Sequence, residues 1–426
     1  MPTIAYLANQ FPAAVEPYVM EEIQELRRRG AKVISGSVRR PIAPDESTPI
    51  SVDICLEPIR FLTLLRAFFL IARSWKQTSP LIARVLLKGN ETLKPRLKAL
   101  LHTLLGACYA AQLQKRAVDH IHIHHGYFGS WIAMTAARLL GIPYSLTLHG
   151  SDLLLHQTYL DEKLRHCLFC LTISEYNRRY ILDHFLQIDP ARVIVSRLGV
   201  DVAQPACDVH ANALGKRKFT ILAAGRLHPV KNHSFLIHAC AHLRDLGLNF
   251  ECKIAGNGPE LDRLAGLIRT YHLQHTVALL GHVAPREMSS LYRQADLFAL
   301  TSRSEGIPLV LMEAMANQLI VLAPAITGIP ELVSHQETGY LYQPGNLNDF
   351  TNQVRSILLM TEDSASVEKL LHIRHTARMK VFHDFNREKN LHRFADLFLQ
   401  SISPQPRSSP NENSVLQQVQ LSVQRH

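Results

Sequence analysis

The 426-residue chain has two tryptophans, seven cysteines, no uninterrupted apolar run long enough to cross a bilayer, and only two acids between Leu56 and Val118. Each shortage excludes something. A membrane helix needs roughly 18 or more apolar residues, and apolar stretches such as Leu97 to Leu113 are broken by Lys98 and His102. Cysteines odd in number and irregular in spacing make no disulfide framework and point to reduced thiols. Cys167 and Cys170 stand as a lone Cys-x-x-Cys without further ligands nearby, in an apolar run that reads as core. A complete Gly-x-Gly-x-x-Gly is also missing. Gly256-Asn-Gly258-Pro-Glu-Leu supplies its first half alone, which argues against a hydride-transferring Rossmann enzyme. Met1-Pro-Thr-Ile-Ala-Tyr-Leu runs straight into a strand pattern without the features of a secretory signal, so a cytoplasmic protein is expected.

What is abundant is positive charge, and it is concentrated. The net charge is +10; between Leu56 and Val118 eleven Lys or Arg face two acids, Glu57 and Glu91, so 11 − 2 = +9 lies in one segment. That segment is also apolar: Leu64, Phe68 and Ile71 share one helical face, with Arg66 and Arg73 opposite. A basic, amphipathic, non-spanning segment reads as a contact for an anionic membrane surface, carried by Arg66, Arg73, Lys76 and Arg84, with the protein peripheral on the inner face. The competing reading is a helical insertion packed on the N-terminal domain with a solvated basic rim. No stacking motif or recognisable nucleic-acid module accompanies the charge, so nucleic acid is not an expected partner.

Residues 301–316, Thr-Ser-Arg-Ser-Glu-Gly-Ile-Pro-Leu-Val-Leu-Met-Glu-Ala-Met-Ala, put Glu305 just before a helix start and Glu313 inside that helix. Pro308 suits a first turn, where its missing N–H costs nothing, and Leu309, Val310, Met312 and Met315 supply an apolar face. The N–H groups of Gly306 and Ile307 would then be free for phosphate, with Glu313 roughly 8 Å further along for a diol. A nucleoside diphosphate-sugar has that layout. Upstream, Phe219-Thr-Ile-Leu-Ala-Ala-Gly225-Arg226 reads as a buried strand ending in a glycine turn, with Arg226 and Lys231 as cations for a diphosphate. Leu279-Leu-Gly281-His-Val283 and Gly328-Ile-Pro330-Glu331 are further strand and turn signals, and the alternation of strands with helices predicts a parallel sheet.

His120, His122 and His124 alternate on one face of a strand. Successive same-face positions are about 6.6 Å apart, too far to converge on one ion without help, so no metal is expected. A strand ending at an interdomain cleft is the preferred reading.

Taken together these motifs resemble the retaining glycosyltransferases of family 4, over roughly residues 1–400. The family's paired glutamates correspond to Glu305 and Glu313, its Gly-Arg…Lys phosphate motif to Gly225, Arg226 and Lys231, and its His-Gly-Ser-Asp segment to His149–Asp152. Phe11-Pro12-Ala-Ala-Val-Glu16-Pro-Tyr-Val19-Met-Glu-Glu22-Ile is similar to the opening of the exopolysaccharide or colanic-acid branch, although Ala14, Val15 and Pro17 depart from it. Gln318 and Thr327 also stand where that family has glycines.

The resemblance implies an α/β GT-B fold, two Rossmann-like domains across a cleft. An acceptor domain would occupy 1–200, with a basic helical insertion at 56–118, and a donor domain 201–380. A helix at 381–402 would cross back, and 403–426, polar and rich in proline, reads as a disordered tail. The implied reaction moves a sugar, with retention, from a UDP- or GDP-sugar to a saccharide or lipid-linked acceptor in exopolysaccharide or cell-surface glycan synthesis, with no bound cofactor. Glu305, Arg226, Lys231 and His149 would be catalytic; Gly225, Gly281, Val283, Gly306, Ile307, Pro308, Leu309, Val310 and Glu313 would hold the donor; Glu16, Gly126 and Asp152 would lie on the acceptor side. A non-catalytic sugar- or lipid-binding protein of the same fold is the alternative.

Overall fold

The computed structural model describes residues 1–13, 16–40, 52–88, 91–155, 157–202 and 218–403, so the tail expected beyond Ser403 lies outside the described residues. Two parallel sheets carry the chain. The first contains β1 (Thr3–Gln10), β2 (Lys32–Arg39), β3 (Ile54–Cys55), β4 (His120–His124), β5 (Tyr144–Leu148), β6 (Cys170–Thr172) and β7 (Val193–Val195), in the order β3-β2-β1-β4-β5-β6-β7. The second contains β8 (Phe219–Ala224), β9 (Phe250–Ala255), β10 (Val277–Gly281), β11 (Leu297–Ala299), β12 (Ile320–Pro324) and β13 (Tyr340–Tyr342), in the order β10-β9-β8-β11-β12-β13. Each sheet reverses its direction of growth once, between β1 and β4 and between β8 and β11. Open α/β sheets bind ligands outside the carboxyl ends of strands at such a switch point.

Strands of a parallel sheet are covered on both faces and so read as continuous apolar runs, as Phe219–Ala224 does, wholly buried. β4 achieves the same burial with alternation. Ile121 and Ile123 enter the core with Trp131 and Ile132 of the helix Phe128–Leu140. On the other face His120 and His122 pack edge-on against Phe398. Buried imidazoles are tolerable only when hydrogen-bonded. Ser145 Oγ lies 2.7 Å from His120 Nε2 and 2.8 Å from His122 Nδ1, and Thr147 Oγ1 lies 3.1 Å from His122 Nε2.

Phe398 belongs to the last helix, Arg387–Ile402, which crosses from the second sheet back to the first and packs with Ile4, Tyr6, Val19 and Ile23. Arg387 ties the crossing by pairing with Glu21 and Asp201. Cys167 and Cys170 are buried, as their apolar setting implied.

The basic segment forms three helices, Phe61–Arg73, Trp75–Leu87 and Leu93–Leu113. The third packs on Phe128–Leu140 through small residues; a Cβ at Gly106 would stand 2.6 Å from Thr135 Cβ. The first helix departs from expectation. Ala67 and Leu70 are buried, Leu64 and Ile71 partly, but Phe68 is 58% exposed, together with Phe61, Leu62, Leu65 and Phe69. The helix has too many large apolar residues for one inward face, so the surplus points outward. Arg84 also differs from its expected place on the surface. It is drawn into ion pairs with Glu91 at 2.9 Å and Asp161 at 3.2 Å and lies over the Tyr159 ring.

Candidate active site between the two domains

The candidate catalytic residues singled out in the sequence follow the carboxyl ends of strands at or next to the switch points. Gly225, Arg226 and Lys231 follow β8, Glu305 follows β11, and His149 follows β5, beside His125 at the end of β4. In the second half, Lys231 Nζ donates to Glu305 Oε1 at 2.6 Å, and Thr301 Oγ1 holds the Lys231 carbonyl at 3.1 Å. Thr327 Oγ1 donates to the Glu305 carbonyl at 2.6 Å. Arg226 is exposed, close enough to Tyr127 of the opposite half to act on its hydroxyl electrostatically.

The helix after Glu305 runs from Leu309 to Ala316, with Pro308 as the N-cap at φ −75° rather than inside the first turn. One residue of difference is within the fraying of any helix end. Among the described residues no partner appears for the N–H of Gly306 or Ile307. Gly306 lies directly against the first half: a Cβ there would stand 2.2 Å from the His149 carbonyl oxygen, and one on Gly150 3.0 Å from the Gly306 nitrogen. Only glycine permits this approach of the two loops. Glu313 accepts a hydrogen bond from Tyr292 Oη at 2.8 Å, while burial raises its pKa, partly countered by that bond.

A cavity of about 510 Å³ lies between the halves. Glu313, Leu309 and Val283 line it from one side, Tyr18, Glu21 and Glu22 from the other. Val310, half-buried, and Gly281, which closes β10 at φ 70°, are not among the residues that line it. The Lys231–Glu305 pair lies outside that lining, as does Arg226.

In the first half Asp152 is fully buried and organises the loops. Its carboxylate accepts from the N–H groups of Gly126 at 2.9 Å, Gly150 at 2.8 Å and His149 at 3.1 Å. It therefore fixes the Gly126 and His149–Gly150 loops from beneath. His125, which sequence reasoning missed, stands between Asp152 at 3.7 Å and Glu16 at 2.9 Å. Burial alone would lower its pKa, but hydrogen bonds and charge from those two carboxylates raise it to about 10. Its position as the residue just past the alternating histidines was the available signal. His149 moves the other way, its pKa pushed well down by burial and then by the charge on His125. Neutral His149 is held by His124, whose Nδ1 lies 2.9 Å from His149 Nε2; His124 Nε2 in turn meets Glu22 at 2.9 Å. With one proton on His124, Glu22 draws it to Nε2, so His149 donates from Nε2 and keeps Nδ1 as an acceptor. Nothing in the sequence near Glu22 or Tyr292 announced these contacts.

Glu22, His122 and His124 bring ligand atoms within 4.8 Å of one another, the convergence that β4 alone does not supply. Both nitrogens of each imidazole already face hydrogen-bonding neighbours. The cluster is therefore complete as a hydrogen-bond network.

The family model for glycosyltransferase family 4 matches residues 15–204, and that for group 1 glycosyl transferases matches residues 208–370. The fold matches sucrose-phosphate synthase from Thermosynechococcus elongatus with a TM-score of 0.72 and 19% identity, over 94% of this chain and 99% of that one. The architecture is GT-B. This GT-B chain also matches Anabaena HepE in complex with UDP and glucose, with a TM-score of 0.65 and 20% identity, over 94% of this chain and 100% of that one. In sequence, it is 34% identical over 205 residues to a putative colanic acid biosynthesis glycosyltransferase of Escherichia coli, 46% of this chain and 48% of that protein. The chain thus spans about half the length of that relative. An Escherichia coli UDP-Gal:alpha-D-GlcNAc-diphosphoundecaprenol alpha-1,3-galactosyltransferase is 26% identical over 68% of this chain and 77% of its own.

Proposed function

We propose that this GT-B protein transfers a sugar from a nucleoside diphosphate-sugar, UDP- or GDP-linked, to a saccharide or lipid-linked saccharide, with retention, in the synthesis of exopolysaccharide or another surface glycan. The observation that carries this reading is the Lys231–Glu305 pair at 2.6 Å, one loop away from the half-buried Glu313, on a loop lying against His149 of the opposite half. The colanic acid and galactosyltransferase relatives and the UDP-bound Anabaena structure support the same chemistry.

On this reading residues 201–380 bind the donor and 1–200 the acceptor. Glu313 accepts from the ribose diol, with Leu309, Val310, Val283 and Gly281 around the nucleoside. Arg226, Lys231 and the N–H groups of Gly306 and Ile307 meet the diphosphate, whose negative charge grows as the sugar–phosphate bond breaks. Gly225 and Pro308 shape the two loops. Glu305 receives hydroxyls of the transferred sugar and holds Lys231, and neutral His149, its Nε2 proton given to His124, accepts a sugar hydroxyl at Nδ1 from the facing domain. Glu16 lies toward the acceptor, paired with His125, while Asp152 and Gly126 fix the loop beneath. The departing phosphate oxygen takes the proton of the attacking acceptor hydroxyl on the same face, because Asp152 is buried, Glu16 is engaged with His125, Glu22 with His124, and Glu21 and Asp201 with Arg387, so none of these carboxylates is free for acid–base work. No metal is required for these steps.

The non-catalytic alternative rested on Gln318 and Thr327. Both adopt positive φ, 59° and 47°, so the turns persist without glycine. The test is a thermal-shift screen of nucleotide-sugars followed by donor hydrolysis and transfer assays on the responders. A folded protein that no nucleotide-sugar stabilises, and that turns none over, would overturn the proposal.

A further inference from the structure

A second cavity, about 480 Å³, lies away from the nucleotide side, between the helix Leu93–Leu113 and the turn Gly126–Phe128. Its lining includes Lys94, Lys98, His102 and Lys163 and no carboxylate. We infer that it seats the phosphate end of an isoprenoid-type lipid phosphate, the anchor of the acceptor. The inference rests on the transferase reading for the word acceptor, and on the following geometry for the ligand.

Lys94, Lys98 and His102 fall at i, i+4 and i+8 of one helix and so form one stripe facing the cavity. Leu93, Leu97 and Leu101, one position earlier each time, form the adjoining stripe, and they are 71%, 57% and 53% exposed. His102 is held neutral by burial and by the charges of Lys163 and Lys98, its pKa lowered to about 4, so it can only hydrogen-bond. Two ammonium groups in a pocket beside an apolar stripe in solvent fit an amphiphile with an anionic head. A soluble sugar phosphate would fill the pocket and leave the leucines in water. The helix that carries these leucines packs on the two helices that expose Phe61, Phe68, Phe69 and Trp75, which adds apolar surface for a hydrocarbon chain.

Two buried groups inside the pocket point the same way. Tyr159 is 3% exposed, lines the cavity, and its hydroxyl has no hydrogen-bond partner among the described residues, a cost that a phosphate oxygen would remove. Lys163 Nζ donates to the carbonyls of Gly126, Tyr127 and Thr158, fixing the turn, and burial pulls its pKa down to about 7. An anion in the pocket would keep that ammonium charged. The location suits an acceptor: Tyr127 Oη lies 2.6 Å from Ser151 Oγ, on the loop that carries His149 and Asp152. A sugar attached to the phosphate therefore starts beside the cleft.

The probe is farnesyl diphosphate, titrated into the full chain and followed by the fluorescence of Trp131, which lines the cavity, and by calorimetry. Saturable binding is expected, weakened at least tenfold in Lys94→Gln/Lys98→Gln, whose two sites are exposed and leave the fold intact. Leu97→Asn/Leu101→Asn should weaken farnesyl diphosphate and leave inorganic diphosphate unaffected. Farnesol binding as tightly, inorganic diphosphate competing equally, or wild-type affinity in the double glutamine variant would each overturn the inference. UDP and GDP affinities on the same samples report on the transferase reading alone, because neither lysine touches that site.

Discussion

Lys231 and Glu305, 74 positions apart, are joined at 2.6 Å by loops that leave adjacent strands of the second sheet. The pair keeps the ammonium in place before any diphosphate arrives, so little reorganisation remains for the transition state. Lys231→Ala is expected to lower kcat by about 100-fold to 1000-fold while weakening nucleotide affinity less than tenfold, since the charge it meets grows during the reaction. Arg226→Ala should act in the same direction but less, because the exposed guanidinium is screened by water. Steady-state kinetics beside nucleotide calorimetry decide it. Matched losses in turnover and affinity would make both cations simple binding groups.

Glu313 offers a second test. Its carboxylate is half-buried and already accepts from Tyr292 at 2.8 Å. Charge-assisted hydrogen bonds to a ribose diol imply that Glu313→Ala weakens nucleotide binding by about 1.5 to 3 kcal/mol. Because its pKa is raised, mainly by burial, affinity should fall on the acid side at a higher pH than an ordinary carboxylate would give, and this acid limb should vanish in Glu313→Gln. An unchanged nucleotide affinity in folded Glu313→Ala would remove it from the site.

Much of the second half was legible because chemistry and local structure coincide there. Gly225 ends a buried strand, and Glu305 to Glu313 spans a helix start, so spacing along the chain translates into spacing in the site. The first half was harder to read. His125 gains its charge from Asp152 and Glu16, 27 and 109 positions away, and His149 its orientation from Glu22 through His124. Such contacts depend on which strands become neighbours, information that periodicity does not carry. Phe68 and Arg84 were misread for a related reason. A helix wheel gives a face but not what covers it, and Arg84 was claimed by Asp161, from outside its own segment.

The His125 cluster predicts a pH-dependent stability. The folded pKa of about 10 lies above the ordinary histidine value near 6.5, so the contribution is full below about pH 6.5 and is lost as pH rises through 10. The groups facing the ring are Asp152, Glu16, Tyr18, His124, His149 and Tyr127. His125→Gln should therefore destabilise by roughly 3 kcal/mol at pH 6, with the gap to wild type shrinking toward pH 10. Chemical denaturation of the two proteins across that range reads the difference directly, and a gap that does not change with pH would mean an uncharged His125.

Gln318 gives a prediction of opposite sign. It is a non-glycine residue at φ 59° that follows the helix Leu309–Ala316 and is 7% exposed. A left-handed conformation costs an L-residue about 1 to 2 kcal/mol, so Gln318→Gly should raise stability by roughly 0.5 to 1 kcal/mol once the greater freedom of glycine in the unfolded chain is allowed for. Thr327→Gly should gain less, since it also loses the 2.6 Å bond to the Glu305 carbonyl. Destabilisation of Gln318→Gly in a melting experiment would mean that the glutamine side chain, not the backbone, holds this turn.

The exposed faces of the basic helices bear on where the protein works. No helix among the described residues is long and apolar enough to cross a membrane, yet Phe61, Leu65, Phe68, Phe69 and Trp75 are each at least half exposed within the segment that carries +9 of the charge. Burying such side chains at a bilayer interface contributes through area, and each Lys or Arg near an anionic surface adds about 1 kcal/mol at modest salt. The protein is expected to pellet with anionic liposomes, to be released as salt rises, and to lose most of that binding in Arg66→Gln/Arg73→Gln/Lys76→Gln. Arg84 is left out of the set, because its partners Glu91 and Asp161 already neutralise it, and Arg84→Gln should instead lower stability without releasing the protein from vesicles. Phe68→Ser/Phe69→Ser should weaken binding even at low salt, where the charges alone would otherwise suffice. Pelleting indifferent to salt and to both sets of substitutions would leave the helices as a packed insertion.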